Sequence, residues 1–370
     1  MKLNTLMTDL KTNRLILCLL AIKLIGVGFA TLVFARFSPL VDSELYIKGF
    51  YNTEITFRTR AIQFMASFLN SIGGSLMAHL TFGLISVVGL IYYYITGGRR
   101  WVLMLTLLLP STLVWTSIVG KEAIFTGGMG LALVVWSKYA VKPLNWLDMV
   151  AVMLALVVCA LLRPHYAIAI VWLFIATVII KRKLNFSEPI LIILILIAAT
   201  AIYFTVWNEL LLRGFGAIEY TGRASRHQML GILTVGSGGF DQAFENYKSW
   251  IPFAVITGIV GPLPSEAWQR LELLPFLFEG VFVLFSPLFV ALWVKKHIIA
   301  IEHDFFRIFG WCLLPAILML MVLHAPFGLL NPGSATRWRV NFEQIFYLAP
   351  LLLMYRFMDV DSTENHSLSP

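Results

Sequence analysis

Few residues in this chain could do chemistry, and they fall in short clusters. The stretch Pro110-Ser-Thr-Leu-Val-Trp115-Thr-Ser-Ile-Val-Gly120-Lys121-Glu122-Ala123 sets an adjacent Lys and Glu between two apolar segments. A charge beside hydrocarbon is costly, so it is rare there and usually has a partner or a ligand. Leu162-Arg163-Pro164-His165-Tyr166, Arg223-Ala-Ser-Arg226-His227 and Gly333-Ser-Ala-Thr-Arg337-Trp338-Arg339 supply guanidinium groups, whose fork of donors matches phosphate or pyrophosphate oxygens. Asp42-Ser43-Glu44 offers carboxylates for a general base, or for a hard divalent cation, Mg²⁺ or Mn²⁺. His165 and His227 titrate near neutral pH and could act as acid or base. Each cluster also has a plain alternative: a solvated tip for Lys121-Glu122, an internal pair with Glu122 for Arg163, a headgroup anchor for Arg339, solvated side chains for Asp42 and Glu44, and a structural hydrogen bond for His165.

The elements that must position these groups are membrane helices. The chain has 370 residues, of which 59% are hydrophobic and 13% charged, against about a quarter charged in a soluble domain. A span needs about 20 apolar residues. Residues 15–34, 76–95, 101–119, 123–141, 147–162, 166–180, 190–212, 273–294, 305–323 and 342–355 are candidates, which makes about ten spans of an all-α polytopic protein. Lys2, Lys11 and Arg14 precede an apolar run without a small-residue cleavage site, so that run is expected to stay as a helix.

Basic residues fix the orientation. Lys2/Lys11/Arg14, Arg99/Arg100, Lys138/Lys142, Lys181/Arg182/Lys183, Lys295/Lys296 and Arg356 fall on one side of an alternating trace, which places both termini in the cytoplasm. The net charge of +8 flanks hydrophobic segments, and no basic soluble domain exists to take nucleic acid. The three cysteines all lie inside apolar runs and read as small buried residues. Ile251 to Gly261 is half a span long and runs into Pro262 and Pro264, so a re-entrant or interfacial piece is expected over 251–264. The trace is a single transmembrane domain over 1–358 with outer loops at 36–75 and 213–272. The polar tail, 359–370, is expected to be disordered. Within the first loop, residues 61–70 have helical apolar spacing and are expected to lie along the interface.

On this topology the polar chemistry collects at the outer face. Arg163, Arg337 and Arg339 stand in short connections that the orientation rule keeps poor in arginine, so an anionic ligand there is the natural inference. Lys23 and Glu279 lie inside spans, where Lys23 is expected to snorkel and Glu279 to pair with a neighbouring span unless either serves a site. His79, His303 and His324 have no ligand-like spacing.

Three of these stretches together resemble the integral-membrane proteins of bacterial polysaccharide gene clusters. The Trp115-Thr-Ser-Ile-Val-Gly-Lys121-Glu122 turn is similar to their serine-rich turn ending in Lys-Glu or Lys-Asp. Gly261-Pro-Leu-Pro264-Ser-Glu266, with Glu279 one helix-length later, resembles their Pro-x-Pro-Trp-Glu segment, and Gly333 to Arg339 their closing Gly-Thr-x-x-Arg-Tyr-Arg motif. Ser265 and Trp338 depart from that pattern. Such proteins are similar to GT-C glycosyltransferases and to repeat-unit, O-antigen-type polymerases. The resemblance implies sugars carried on polyprenyl (undecaprenyl) phosphate or pyrophosphate, a glycan or lipid-linked acceptor, and action at the outer, periplasmic side of the cytoplasmic membrane. It implies a catalytic acid at Asp42, with Glu44 as a second member, and phosphate-binding roles among Lys121, Arg163, Arg223, Arg226, Arg337 and Arg339, supported by Glu122, Glu266 and Glu279. A transporter or flippase for an anionic lipid-linked substrate, and an inert assembly subunit, are the other classes. Broken helices at mid-membrane and charges deep inside several spans would favour transport.

Overall fold

The computed structural model describes residues 2–37, 40–49, 56–98, 100–182, 187–202, 206–221, 239–297, 302–329 and 332–367. Among these residues the chain is all-helical. In chain order the α-helices are α1 (Lys2–Gly28), α2 (Val41–Lys48), α3 (Phe57–Ser86), α4 (Val88–Ile95), α5 (Pro110–Trp115), α6 (Lys121–Val141), α7 (Trp146–Leu162), α8 (Pro164–Lys181), α9 (Ser187–Ile202) and α10 (Asn208–Thr221). They continue as α11 (Gly239–Ser249), α12 (Ile251–Val260), α13 (Pro264–Gln269), α14 (Leu274–His297), α15 (Glu302–Ile308), α16 (Leu314–His324), α17 (Pro332–Arg339) and α18 (Gln344–Ser367). Six helical runs among the described residues are long and apolar enough to cross a membrane, and three shorter apolar helices accompany them. The protein is a polytopic membrane protein in its architecture.

The expected single domain divides into two compact units, Met1–Ala167 with Val340–Pro370, and Ile168–Arg339. In the first, α6 is the axis: it is the most buried of the six long apolar helices. Its glycines explain why. A methyl at Gly127 would stand 2.1 Å from the Ile85 carbonyl oxygen, and one at Gly89 of α4 would stand 2.3 Å from the Gly130 carbonyl carbon. Small residues let helix backbones meet closely where no hydrophobic effect drives association. Gly127→Ala is therefore expected to force α3 and α6 apart, at about 1–3 kcal/mol, read as a lower unfolding temperature of the purified protein in detergent.

The basic end of α6 is tied to α7. Asn145 caps α7, accepting from the Asp148 N–H at 2.9 Å, while Asp148 accepts from the Asn145 N–H at 2.9 Å. The Asp148 carboxylate also takes Lys138 Nζ at 2.7 Å and the Tyr92 hydroxyl at 2.6 Å. Asp148→Ala leaves Lys138 and Tyr92 facing a cavity. The expected loss is about 1.5–3 kcal/mol, the range for hydrogen bonds to a charged group, checked by the same thermal measurement.

Two segments differ from their expected form. The run 101–119, expected as one span, is a 3₁₀ helix over Trp101–Leu108, then α5, then irregular backbone to Gly120. Pro110 is the cause, because the residue before proline is pushed out of the helical region, and Leu109 has φ −57, ψ 132. The stretch expected as a disordered tail continues α18 to Ser367. Once a helix is nucleated, each further residue adds a bond at little cost, and no Gly or Pro interrupts 351–367.

In the second unit α12 is only ten residues long and ends at Gly261. Leu210, Phe215, Tyr247, Ala254, Leu323 and Phe327 form its core. Tyr247 donates its hydroxyl to the Pro326 carbonyl at 2.6 Å, which satisfies the one polar atom that ring buries.

Candidate functional site

Several buried polar contacts of the first unit lead back to residues 110–122. Irregular backbone at membrane depth must be buried in protein or line a wet cavity, and here it is buried. The Ser111 and Thr112 hydroxyls donate to the carboxylate of Glu343, at 3.0 and 2.7 Å. Glu343 is fully buried. Thr116 accepts from Lys23 Nζ at 2.5 Å and donates to the Thr112 carbonyl. Lys23 is fully buried too, so it does not snorkel as expected; the hydroxyl of Thr116 is near enough to take its proton donor without a path to water. The Val119 N–H donates to His79 Nδ1 at 3.1 Å.

At the far end of this stretch the cations gather. Tyr46 of α2, Ile62 of α3, and Val119 and Ala123 form one apolar cluster, with Leu162 against it. This packing brings the starts of α3 and α6 to the α7–α8 corner. There Lys121 Nζ donates to Thr59 Oγ1 at 2.7 Å, Arg58 Nη1 to the Leu162 carbonyl at 3.3 Å, and Arg163 Nη2 to Glu122 Oε1 at 3.3 Å. Glu122 is buried in the first turn of α6, where a helix N-terminus favours negative charge. Gly120 leaves the space it needs, since a methyl there would lie 2.8 Å from Glu122 Oε2. One cation, Arg163, thus pairs with the buried Glu122, and Arg58 and Lys121 are held by Leu162, the chain neighbour of Arg163, and by Thr59 at the start of α3. The Lys121-Glu122 pair is not a solvated tip, and the alternative of an Arg163–Glu122 pair is realised. His165 packs edge-on against Tyr166 at 4.1 Å, and Tyr166 is buried against Phe342 at 5.0 Å.

Asp42 and Glu44 occupy the first turn of α2, and both are exposed. Residues two apart on a helix do not face each other. Among the described residues no group of three metal-ligating side chains forms. Asp42 and Glu44 are both solvent-reachable carboxylates on an element whose Tyr46 packs into the cationic end.

The second unit gives its sequence motifs a structural account. Arg339 is fully buried. Its Nη1 donates to the carbonyls of Ile259 and Val260 at 2.9 and 3.1 Å, and its Nη2 to Glu279 Oε2 at 2.9 Å. The last carbonyls of any helix lack intrahelical donors, and Arg339 supplies them for α12. Gly261 then turns the chain with φ 83, a left-handed value that favours glycine. A methyl at Gly261 or Gly280 would fall 2.7 or 2.6 Å from Arg339 Nη1. Glu266 accepts from the Leu263 N–H at 2.6 Å and so closes the start of α13. The expected phosphate-binding role of Arg339 is thereby corrected: its guanidinium is committed to α12 and Glu279, and the headgroup-anchor alternative falls with it. Arg337 on the same helix is half-buried. Arg223 and Arg226 lie outside the described residues.

Sequence reasoning missed Glu343 and gave His79 no role. The signal for Glu343 was present in the hydroxyls of Ser111, Thr112, Thr116 and Ser117 within an otherwise apolar stretch, since buried hydroxyls between helices need polar partners. Comparison of the chain with protein-family models, with characterised proteins and with solved structures finds no match in any of the three.

Proposed function

We propose that the chain is a glycosyltransferase of cell-envelope polysaccharide assembly in the bacterial cytoplasmic membrane, GT-C-like in its ten-span arrangement, with both termini cytoplasmic and α12 re-entrant. Its donor is a sugar on polyprenyl phosphate or pyrophosphate, taken from the outer leaflet, and its acceptor a glycan or lipid-linked glycan. The observation that carries this reading is the cationic end of the first unit, where Arg58 donates to the Leu162 carbonyl, Lys121 to the Thr59 hydroxyl, and Arg163 pairs with the buried Glu122. Charge grows on the leaving phosphate oxygen as the glycosidic bond breaks, and preorganised cations at a partly dry site stabilise it far better than water does. Lys121, whose ammonium donates to the Thr59 hydroxyl, is the cation assigned to this, and Arg163 balances Glu122. Asp42 takes the proton of the acceptor hydroxyl, with His165 beside Arg163 as the second titratable group. Arg337, and Arg223 and Arg226, remain phosphate-binding candidates of the second unit. In a deletion strain, the glycan ladder separates a single-sugar transferase, which loses one added unit, from a repeat-unit polymerase, which loses all extension.

A transporter or flippase is the second reading, and a specific observation favours it. Apolar segments are interrupted in both units, at 101–120 and at 251–261, and Lys23, Glu343, Glu279 and Arg339 are charges buried among the helices. Purified protein in vesicles separates the two. A lipid-linked sugar donor plus acceptor gives a new glycosidic product under the first reading, and leaflet exchange without product under the second.

A further inference from the structure

A groove of about 480 Å³ runs between the end of α1 with the π-turn after it, α2, and the second half of α3. Apart from Glu44 it shares no residue with the proposed transfer site. The break in α3 at Gly73–Gly74, where Gly74 takes φ 74, sets the following turn against it, and Ser75, Leu76 and His79 line it. Side chains three and four apart share one helix face, so these three enter together.

Two polar groups face this groove without an acceptor from the protein. The Ser43 side chain is 4% exposed, lines the groove, and its Oγ has no hydrogen-bond partner. His79 uses Nδ1 to accept the Val119 N–H. That bond fixes the neutral tautomer, with the hydrogen on Nε2 as a donor, and Nε2 is the nitrogen left for the groove. Lys48 stands at the rim, 3.5 Å from Glu44, with both side chains more than half exposed. Such a pair is weak, so the ammonium can turn inward. The remaining walls, among them Val27, Leu32, Leu40, Ile47 and Leu76, are apolar apart from Thr31, whose hydroxyl donates to the Val27 carbonyl. Leu32 and Leu76 are 68% and 55% exposed, so the groove opens sideways on the surface that a bilayer covers.

Two neutral donors and the Lys48 ammonium, with Glu44 at the same rim as its exposed counter-charge, suit a head rich in acceptors, and a sideways-open apolar wall suits a hydrocarbon tail. The volume is that of a site for one ligand. We propose that this groove binds a single-chain phosphomonoester lipid, its tail along Leu32 and Leu76 and its phosphate oxygens on the Ser43 hydroxyl, the His79 Nε2–H and the Lys48 ammonium. Binding follows from these residues alone and holds whether or not the protein transfers sugars.

Native mass spectrometry of the purified full chain, titrated with lysophosphatidic acid, farnesyl phosphate, farnesol and inorganic phosphate, tests this. One equivalent of at least one phosphate lipid is expected to bind, at least tenfold tighter than farnesol, and inorganic phosphate at equal concentration is expected not to displace it. Tighter lysophosphatidic acid assigns an acyl source, tighter farnesyl phosphate an isoprenoid one. Leu76→Trp, which fills the open side, is expected to abolish binding, and Ser43→Ala to weaken it about ten- to a hundredfold, the scale of one hydrogen bond to a charged group. Both positions leave the buried packing intact. Equal binding of farnesol, displacement by inorganic phosphate, or full binding to Leu76→Trp would each overturn the assignment. Asp42→Asn is expected to remove transfer and keep lipid binding, so failure of the transferase reading and failure of this one give different results.

Discussion

Arg339→Met is expected to be among the most destabilising single substitutions in the chain, by about 3–5 kcal/mol, because it leaves a buried carboxylate without its counter-charge. Glu279 would keep its place in α14, fully enclosed, while the Ile259 and Val260 carbonyls at the end of α12 lose their donors. Each of these is a group that costs free energy when buried unsatisfied. Arg339→Lys is expected to recover little, since a single ammonium cannot reach two carbonyls and a carboxylate in the planar geometry a guanidinium provides. The double variant Arg339→Met with Glu279→Leu is expected to recover part of the loss, because breaking a buried pair is worse than replacing it with apolar side chains of similar size. Thermal unfolding in detergent, followed by loss of the monodisperse peak, reads all three. A fully stable Arg339→Met protein would show that Arg339 does not hold α12.

The second large effect concerns rate. Lys121→Ala is expected to lower glycan assembly by about 10²- to 10³-fold, the range for removal of one preorganised donor from a developing oxyanion. Its fold is expected to survive, because Lys121 contributes a contact to Thr59 at the start of α6 and leaves the Arg163–Glu122 pair whole. Arg163→Ala makes a useful contrast. It removes a cation from the same end but orphans the buried Glu122, so loss of activity there comes with loss of stability. A variant inactive yet stable is the signature of a phosphate-binding role, whereas one inactive and unfolded shows only structure. Arg337→Ala, on a half-buried cation of the second unit, is expected to behave like Lys121→Ala.

The all-helical membrane architecture was legible from composition, and five of the expected spans coincide with long apolar helices among the described residues, while the sixth such helix, Phe57–Ser86, runs from the expected outer loop into the expected span at 76–95. The interruption at 101–120 was less so, although Pro110 announced it. Counting apolar residues measures the cost of inserting a segment, and that count is blind to whether the backbone within it is helical. Periodicity could not help either, since helices apolar on every side carry no moment to orient them. The Lys121-Glu122 corner was legible as a place, and the role of the hydroxyls before it, which hold Glu343 and Lys23, was not. Arg339 and Glu279 are 60 residues apart, and nothing in the composition of either stretch couples them. Their pairing is a property of packing. The same holds for Ser43 and His79, which read as an unremarkable loop serine and a stray span histidine until the break at Gly73–Gly74 turns the helix toward α2.

The most direct test of the central claim is a transfer assay on the purified chain in nanodiscs, with a radiolabelled polyprenyl-phosphate sugar as donor and a lipid-linked glycan as acceptor. Wild-type protein is expected to form the glycosidic product, and both Lys121→Ala and Asp42→Asn are expected to lose it while remaining folded. Product formed at wild-type rate by both variants would contradict a transferase site at the cationic end of the first unit.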